Sequence, residues 1–318
     1  MAQVKFHFPD FTRHLQLNLM MLNMMKSAPE YFREGVTFAS VYGAFPPSMW
    51  NGGRPMGGMR CDEDVIKRVI KAFNEQGVPL RFTFTNPLIG KEHLDDPFCN
   101  MVMRLADNGL NEVIVFSEVL EDYIRTKYPK YKITSSTCKR ITDPAKLAEE
   151  LERDYHVVVL DYDLNNKFDI LEKLPHPEKI EVLVNSTCFP NCQRRSAEYE
   201  TCGRQQIVYN EHLKNHPGVP FRMGDYSKTT MQDFDCPAMH MTHFEARKLP
   251  HHVSPELIWD WYVPHGICQF KISGRGTSRL MVLEEYMYYL MKPECRDEAR
   301  FMLLHNLDRA GIIRIDDR

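Results

Sequence analysis

From Val36 onward the chain repeats one hydrophobic pattern: a short apolar, β-branched run, a polar turn, then a longer stretch whose apolar positions recur every three or four residues. The short runs VTFASVY, LRFTFT, EVIVFS, KITSST, HVVVLDY and IEVLVN have strand length and strand composition. After the first of them, CDEDVIKRVIKAFNEQG places Val65, Ile66, Val69, Ile70 and Phe73 on one helical face and closes at Gly77. Residues 97–108, 119–127 and 144–154 read as further helices. CQFKIS, residues 268–273, is another strand, and an amphipathic helix follows it over 278–291.

Six alternations in a row favour a parallel sheet with helices packed outside it. Between 204 and 250 the pattern is poor, and the remaining strand is expected near Gln206 or Phe221. With that strand the count supports a TIM-like (β/α)8 barrel. An open doubly wound sheet is the runner-up, and no GxGxxG follows the first strand to support it. Ahead of the repeat, Leu15, Leu19 and Leu22 recur at helical spacing with Asp10 as a plausible cap. The expected organisation is one barrel domain over 1–318, with a helical N-terminal segment at 1–35 and an irregular cysteine-containing region at 186–250. The Pro/Gly-rich FPPSMWNGGRPMGGMR falls inside the first βα connection.

Composition narrows the class. A chain of 318 residues with 43% hydrophobic content buries a full core, and a net charge of −3 argues against a protein that coats nucleic acid in bulk. Nine cysteines, an odd number, and no basic-then-apolar leader point away from a secreted disulfide framework. The apolar run at 17–25 is interrupted by Asn18 and Asn23 and is far short of the ~20 residues a bilayer span needs. A cytoplasmic chain without a membrane segment is expected.

In a barrel the carboxyl ends of the strands share one mouth, so the sequence nominates a pocket. Candidate catalytic groups are Lys271, Arg275, Asp161 and Asp163; candidate substrate contacts are Arg54, Asn86, Glu118 and Asn185. Arg54 sits in a glycine-rich loop where backbone approaches a ligand closely, which suits an anion clamp. Lys271 and Arg275 flank Gly274 at an inward-facing strand end, and two buried cations there need anionic partners: either Asp161 or Asp163, or a substrate carboxylate or phosphate. Ser117, Thr137 and Thr142 read as helix caps.

Cys188, Cys192 and Cys202 follow the IEVLVN strand, and Cys236 in DFDCPAMH is the most economical fourth thiolate, with Cys268 and Cys138 as substitutes. Four thiolates suit a four-iron, four-sulfide cluster or a structural zinc. C-x3-C-x9-C leaves the two level, and position at a strand mouth favours the cluster. Cys61, Cys99 and Cys295 read as ordinary thiols. His240, His243 and Glu245 offer a second metal set, although surface histidines are the plainer reading.

GICQFKISGRG resembles the FKIEGR signature of the collagenase-like U32 peptidase family. TFTN, Ser135-Ser136-Thr137, LDYDLN, VN-x2-C-x3-C and VSPELIWDWYVPHGI are similar to that family's pieces in the same order, so the resemblance covers roughly residues 36–289. It departs in carrying Ser273 where the family has Glu and in a shorter cysteine spacing. The resemblance implies a barrel with a cysteine-ligated iron-sulfur cluster. It also implies relatives that are either peptidases or oxygen-independent hydroxylases, some of which use prephenate to modify RNA bases or quinone precursors. With no HExxH and no GxSxG in the chain, peptidase chemistry gains nothing from residue types. The expected function is a cluster enzyme acting on a nucleobase, cofactor precursor or small anionic metabolite. The alternatives are a cluster-bearing non-catalytic subunit of a complex with a protein partner, and a zinc-stabilised binding module.

Overall fold

The computed structural model describes residues 3–54, 60–226, 236, 238 and 240–314. Eight parallel strands close into a barrel in chain order: β1 (Val4–Pro9), β2 (Val36–Gly43), β3 (Leu80–Phe84), β4 (Glu112–Val115), β5 (Lys132–Ser135), β6 (Val157–Val159), β7 (Ile180–Leu183) and β8 (Gln269–Lys271). The closure is β1 against β8, with Phe6 opposite Phe270 and His7 opposite Lys271. The architecture is the TIM-like (β/α)8 barrel that the alternation predicts.

The eighth strand lies elsewhere than expected. It is VKFHFP at the N-terminus, inside the segment read as helical, while the region around Gln206 is helix. Period-two alternation is present in VKFHFP, but its inward positions, Lys5 and His7, are polar and its apolar ones face the outer helices. Phe8 meets Tyr286 edge-on at 5.0 Å. The helical segment proper follows as α1 (Leu15–Ser27). Asp10 takes positive φ and accepts from Thr12 N at 3.2 Å and Arg13 N at 2.9 Å, so it caps the turn before the helix.

Helices α2 (Glu63–Asn74), α3 (Pro97–Leu105), α4 (Glu118–Lys127), α5 (Pro144–Glu152) and α6 (Phe168–Leu171) follow strands β2 to β6. Ser117 caps α4 as predicted. Asp143, not Thr142, caps α5, and Ser136, not Thr137, caps the short turn after β5. The segment expected to be irregular, 186–250, carries α7 (Arg195–Asn215), a 21-residue helix, and α8 (His243–Ala246), and α9 (Pro255–Leu257) follows it. Helices α10 (Arg279–Leu290) and α11 (Arg296–Arg309) complete the order. Among the described residues no helix is long and apolar enough to cross a membrane.

Polar residues fill the barrel interior at its middle. Arg81 of β3 is fully buried; it bonds the Glu181 carboxylate of β7, pairs with Glu112 of β4 at 3.0 Å and donates to Thr134 Oγ1 at 2.9 Å. His7 of β1 sits 2.7 Å from Ser40 Oγ and 3.3 Å from Glu181. Burial drives the His7 imidazole down to about 3, so it stays neutral. Burial opposes the charge on Glu181, yet Arg81 and Lys271 overcome it and hold that carboxyl at about 2. A buried charge left without a partner is strongly destabilising, and this layer pairs its charges across four strands.

Candidate active site at the barrel mouth

Above that layer a cavity of about 700 Å³ opens between the strand ends and the βα connections. Its floor is Tyr42, Thr83 and Lys271. Arg54, Cys138, Cys188, Tyr199, Cys236, His243 and Arg275 form its walls. Two close backbone approaches shape it. A Cβ on Gly52 would stand 2.4 Å from the Thr85 backbone, so the loop carrying Arg54 lies directly across the end of β3. A Cβ on Gly203 would meet Asn86 Oδ1 at 2.2 Å, so α7 packs against the same strand end.

Helix α7 brings the cysteine region over the mouth. Its buried stripe is Arg195, Tyr199, Cys202 and Gln206, at spacings of four, three and four. Half of that stripe is polar, which is why hydrophobic periodicity does not reveal it. Arg195, fully buried, anchors the helix start: Nη1 reaches Asp161 Oδ1 at 3.0 Å and Nη2 reaches Asp163 Oδ1 at 3.0 Å, with the guanidinium 3.9 Å from the centre of the Tyr162 ring. Asp163 also accepts from Asn191 N at 2.9 Å, inside the cysteine loop. Asp161 and Asp163 therefore fasten α7 and its loop to the end of β6, and neither borders the cavity.

The two strand-end cations have other surroundings than Asp161 or Asp163. Lys271, 8% exposed, lies 3.6 Å from Glu181 Oε1 and 4.2 Å from the centre of the Tyr42 ring, and its Nζ makes no hydrogen bond to a described residue. Burial, with Arg81 and Arg275 nearby, lowers its ammonium to about 8 despite Glu181. Arg275, half-buried, donates to Asn51 Oδ1 and Thr83 Oγ1, each at 2.8 Å, and to the Gly52 carbonyl at 2.8 Å. All three acceptors are uncharged. Arg54 donates to the Gly53 carbonyl at 3.0 Å. Burial penalises its charge, but Glu198 together with neighbouring tyrosines and Cys202 raises it above the ordinary arginine value.

The other nominated contacts are not brought to the cavity. Asn86 is spent on Met49 O at 2.9 Å and Gly203 O at 3.1 Å, and Asn185 on Glu285 Oε2 at 2.9 Å and the Ser273 backbone. Glu118 opens α4 on the outer surface, 3.8 Å from Arg153. Strand ends put all three near the mouth in sequence, but side-chain direction turns them outward or into loop scaffolding. His243, read as a surface histidine, is instead buried at 4% exposure on the cavity wall, and burial lowers it to about 4. His240 is exposed, and Glu245 completes a capping box with Thr242. The interior partners Glu181, Arg81 and His7 were missed in the sequence; the signal for them was a charge in the middle of an otherwise apolar strand.

The cysteines divide. Cys188 and Cys236 open on the cavity, as does Cys138. Cys202 is fully buried on α7, close enough to Arg54 and Cys138 to feel their charge, and Cys192 is half-buried in the loop with Cys188. Cys268 begins β8, at the opposite end of the barrel from the mouth. Burial pushes the Cys202 thiol up to about 12 and raises Cys188 and Cys138, so these groups are protonated thiols at neutral pH. Among the described residues, no three His, Cys, Asp or Glu side chains are grouped closely enough to hold a single ion. Of the four nominated ligands, Cys188 and Cys236 line the cavity, while Cys192 and Cys202 do not border it; soft thiols are the donor type that iron-sulfur clusters and zinc take.

A solved structure described as a U32 peptidase is similar to this chain at 14% identity, with a TM-score of 0.45, over 70% of this chain and 85% of that one. No family model and no curated protein matches the chain.

Proposed function

We propose that the mouth cavity is the active site of an enzyme acting on a small anionic molecule, held through Arg54 and Arg275 above the Lys271 amine. The observation that carries this reading is the set of partners Arg275 has. A half-buried guanidinium whose hydrogen bonds among the described residues all go to neutral oxygens keeps its full charge directed at the cavity, and a carboxylate or phosphate would complete it. Nucleobase-containing and cofactor-precursor substrates with such a group fit the same wall, where the Tyr199 and Tyr42 rings add apolar surface.

The cofactor in this reading is a four-iron, four-sulfide cluster held by Cys188, Cys192, Cys202 and Cys236, and the reaction is an oxygen-independent hydroxylation or related modification. When bound through four cysteines, one to each iron, such a cluster would supply electron transfer and would leave no open position for Lewis-acid activation. The chain's own residues do the rest: Arg54 and Arg275 orient the anion, α7 excludes water from above, and Arg195 clamped to Asp161 and Asp163 keeps the cysteine loop over the cavity.

Protein purified without oxygen and assayed for iron, sulfide and zinc tests the cofactor, with iron and sulfide expected in equal amounts and lost in Cys188→Ser. Zinc without iron would sink the cluster and leave the binding-module alternative. Titration with acetate, oxalate and phosphate tests the anion site separately, through the unfolding midpoint.

A further inference from the structure

The cavity floor holds an amine whose surroundings are unusual for a structural lysine. Lys271 Nζ is buried, makes no hydrogen bond to a described residue, and faces open volume rather than packed side chains. The nearest carboxylate oxygen, Glu181 Oε1 at 3.6 Å, is itself buried without a hydrogen-bond partner, because Arg81 and His7 engage the other oxygen, Oε2. A structural ion pair closes to hydrogen-bond distance and satisfies both members. Here the two groups stand apart at 3.6 Å, and the nitrogen is left open to the cavity.

The charged and titratable groups facing this amine are Glu181 on β7, Arg81 on β3, His7 on β1, Tyr42 on β2, Arg275 after β8 and Cys138 after β5. Tyr42 is not a proton source here, since its hydroxyl donates to the Ile272 carbonyl at 2.6 Å. Among the described residues, two guanidiniums, Arg81 and Arg275, face one carboxylate here, which disfavours a further positive charge on Nζ.

We infer that Lys271 is a catalytic nucleophile that captures a carbonyl compound bearing a carboxylate, with Arg275 and Arg54 as the carboxylate clamp. The step balances without an oxidant or reductant. The ammonium gives one proton to water in the open cavity, the neutral amine adds to the carbonyl carbon, and the resulting carbinolamine takes a proton back and expels its oxygen as water. A C=N bond replaces C=O. This inference rests on the anion reading above and adds to it a substrate class, a 2-oxo or aldehydic acid.

The test is reductive trapping on the intact protein. Glyoxylate, an anionic aldehyde, and acetaldehyde, a neutral one, are each supplied with cyanoborohydride at neutral pH, and the modified lysines are mapped by peptide mass spectrometry. Glyoxylate modification of Lys271 is expected at about tenfold or more over any exposed lysine, whose amines are protonated at that pH. It should also exceed acetaldehyde modification of Lys271. Glu181→Gln should leave trapping at Lys271 at least as fast, because the carboxylate it removes favours the charged form of the amine. Equal modification of Lys271 by both probes leaves the nucleophile standing and sinks the anion clamp. Unmodified Lys271, in a protein whose unfolding midpoint still rises with oxalate, sinks the nucleophile and leaves the anion site. Modification spread evenly over surface lysines sinks the nucleophile as well. Because the map is read on the unsubstituted chain, it decides even if Glu181→Gln does not fold.

Discussion

Two guanidiniums stand at the same mouth, and they are treated in opposite ways. Arg195 is fully enclosed, grips two aspartates and lies on a tyrosine ring. Arg275 is half-enclosed and, among the described residues, donates its hydrogen bonds to neutral oxygens. The first carries its own countercharge and is finished as a piece of structure. The second leaves a positive potential in a cavity, and the same contrast runs deeper in the barrel between Arg81, paired twice, and Lys271, paired loosely. Where a fold closes its own ion pairs it is holding itself together; where it leaves cations open to a cavity it is prepared for a ligand.

The sharpest way to break this contrast is to delete each cation. Arg195→Met strands Asp161 and Asp163 in a buried site, and a loss of about 3–5 kcal/mol in urea unfolding is expected; a loss under about 1 kcal/mol would mean that the clasp is not structural.

A second measurement separates the layers by pH. His7 and His252 are held neutral by burial at about 3 and about 4, against 6.5 in the unfolded chain. Between those values the unfolded chain binds protons that the folded one refuses. Stability is therefore full above pH 6.5 and falls as the pH drops, by about 3 kcal/mol for each histidine at pH 4. Lys271 has the same sign in another window: its lowered value, about 8, makes stability rise with pH from about 8 to about 10.5. Burial also raises the thiols of Cys202, Cys188 and Cys138, and these push stability the other way above about 9. The amine is therefore read as the difference between wild type and Lys271→Met, and identical profiles for the two would remove the argument for a desolvated amine at the mouth.

Smaller effects follow at the open side of the comparison. Arg275→Met is expected to cost about 1.5–3 kcal/mol of stability, the worth of hydrogen bonds from a charged donor, less than Arg195→Met, while weakening carboxylate binding about tenfold or more by calorimetry. Equal losses from Arg275→Met and Arg195→Met would erase the distinction. Smallest of all, Glu118→Ala removes an exposed carboxylate 3.8 Å from Arg153, and neither the unfolding midpoint nor anion binding should move.

Much of this was legible before any coordinates. The alternation of runs from VTFASVY to CQFKIS specifies seven of the eight strands with outer helices, because a strand flanked by a helical period has few ways to bury both faces. Arg54, Lys271 and Arg275 could be nominated because strand ends and a glycine-rich loop put charged side chains on one rim. The first strand was hidden because its inward positions are Lys5 and His7, and α7 because its inward stripe is Arg195, Tyr199, Cys202 and Gln206. A pattern written in apolar residues cannot show a face buried through ion pairs.

Sequence alone thus determined the layered architecture, which depends on local periodicity, and the kinds of chemistry present, which depend on residue type. Only the tertiary structure decided pairing. Asp161 and Asp163 went to Arg195, Glu181 went to Arg81, and Arg275 was left with neutral acceptors. Coulomb energy and desolvation depend on distances between residues about a hundred positions apart in the chain, and those distances do not exist until the barrel closes.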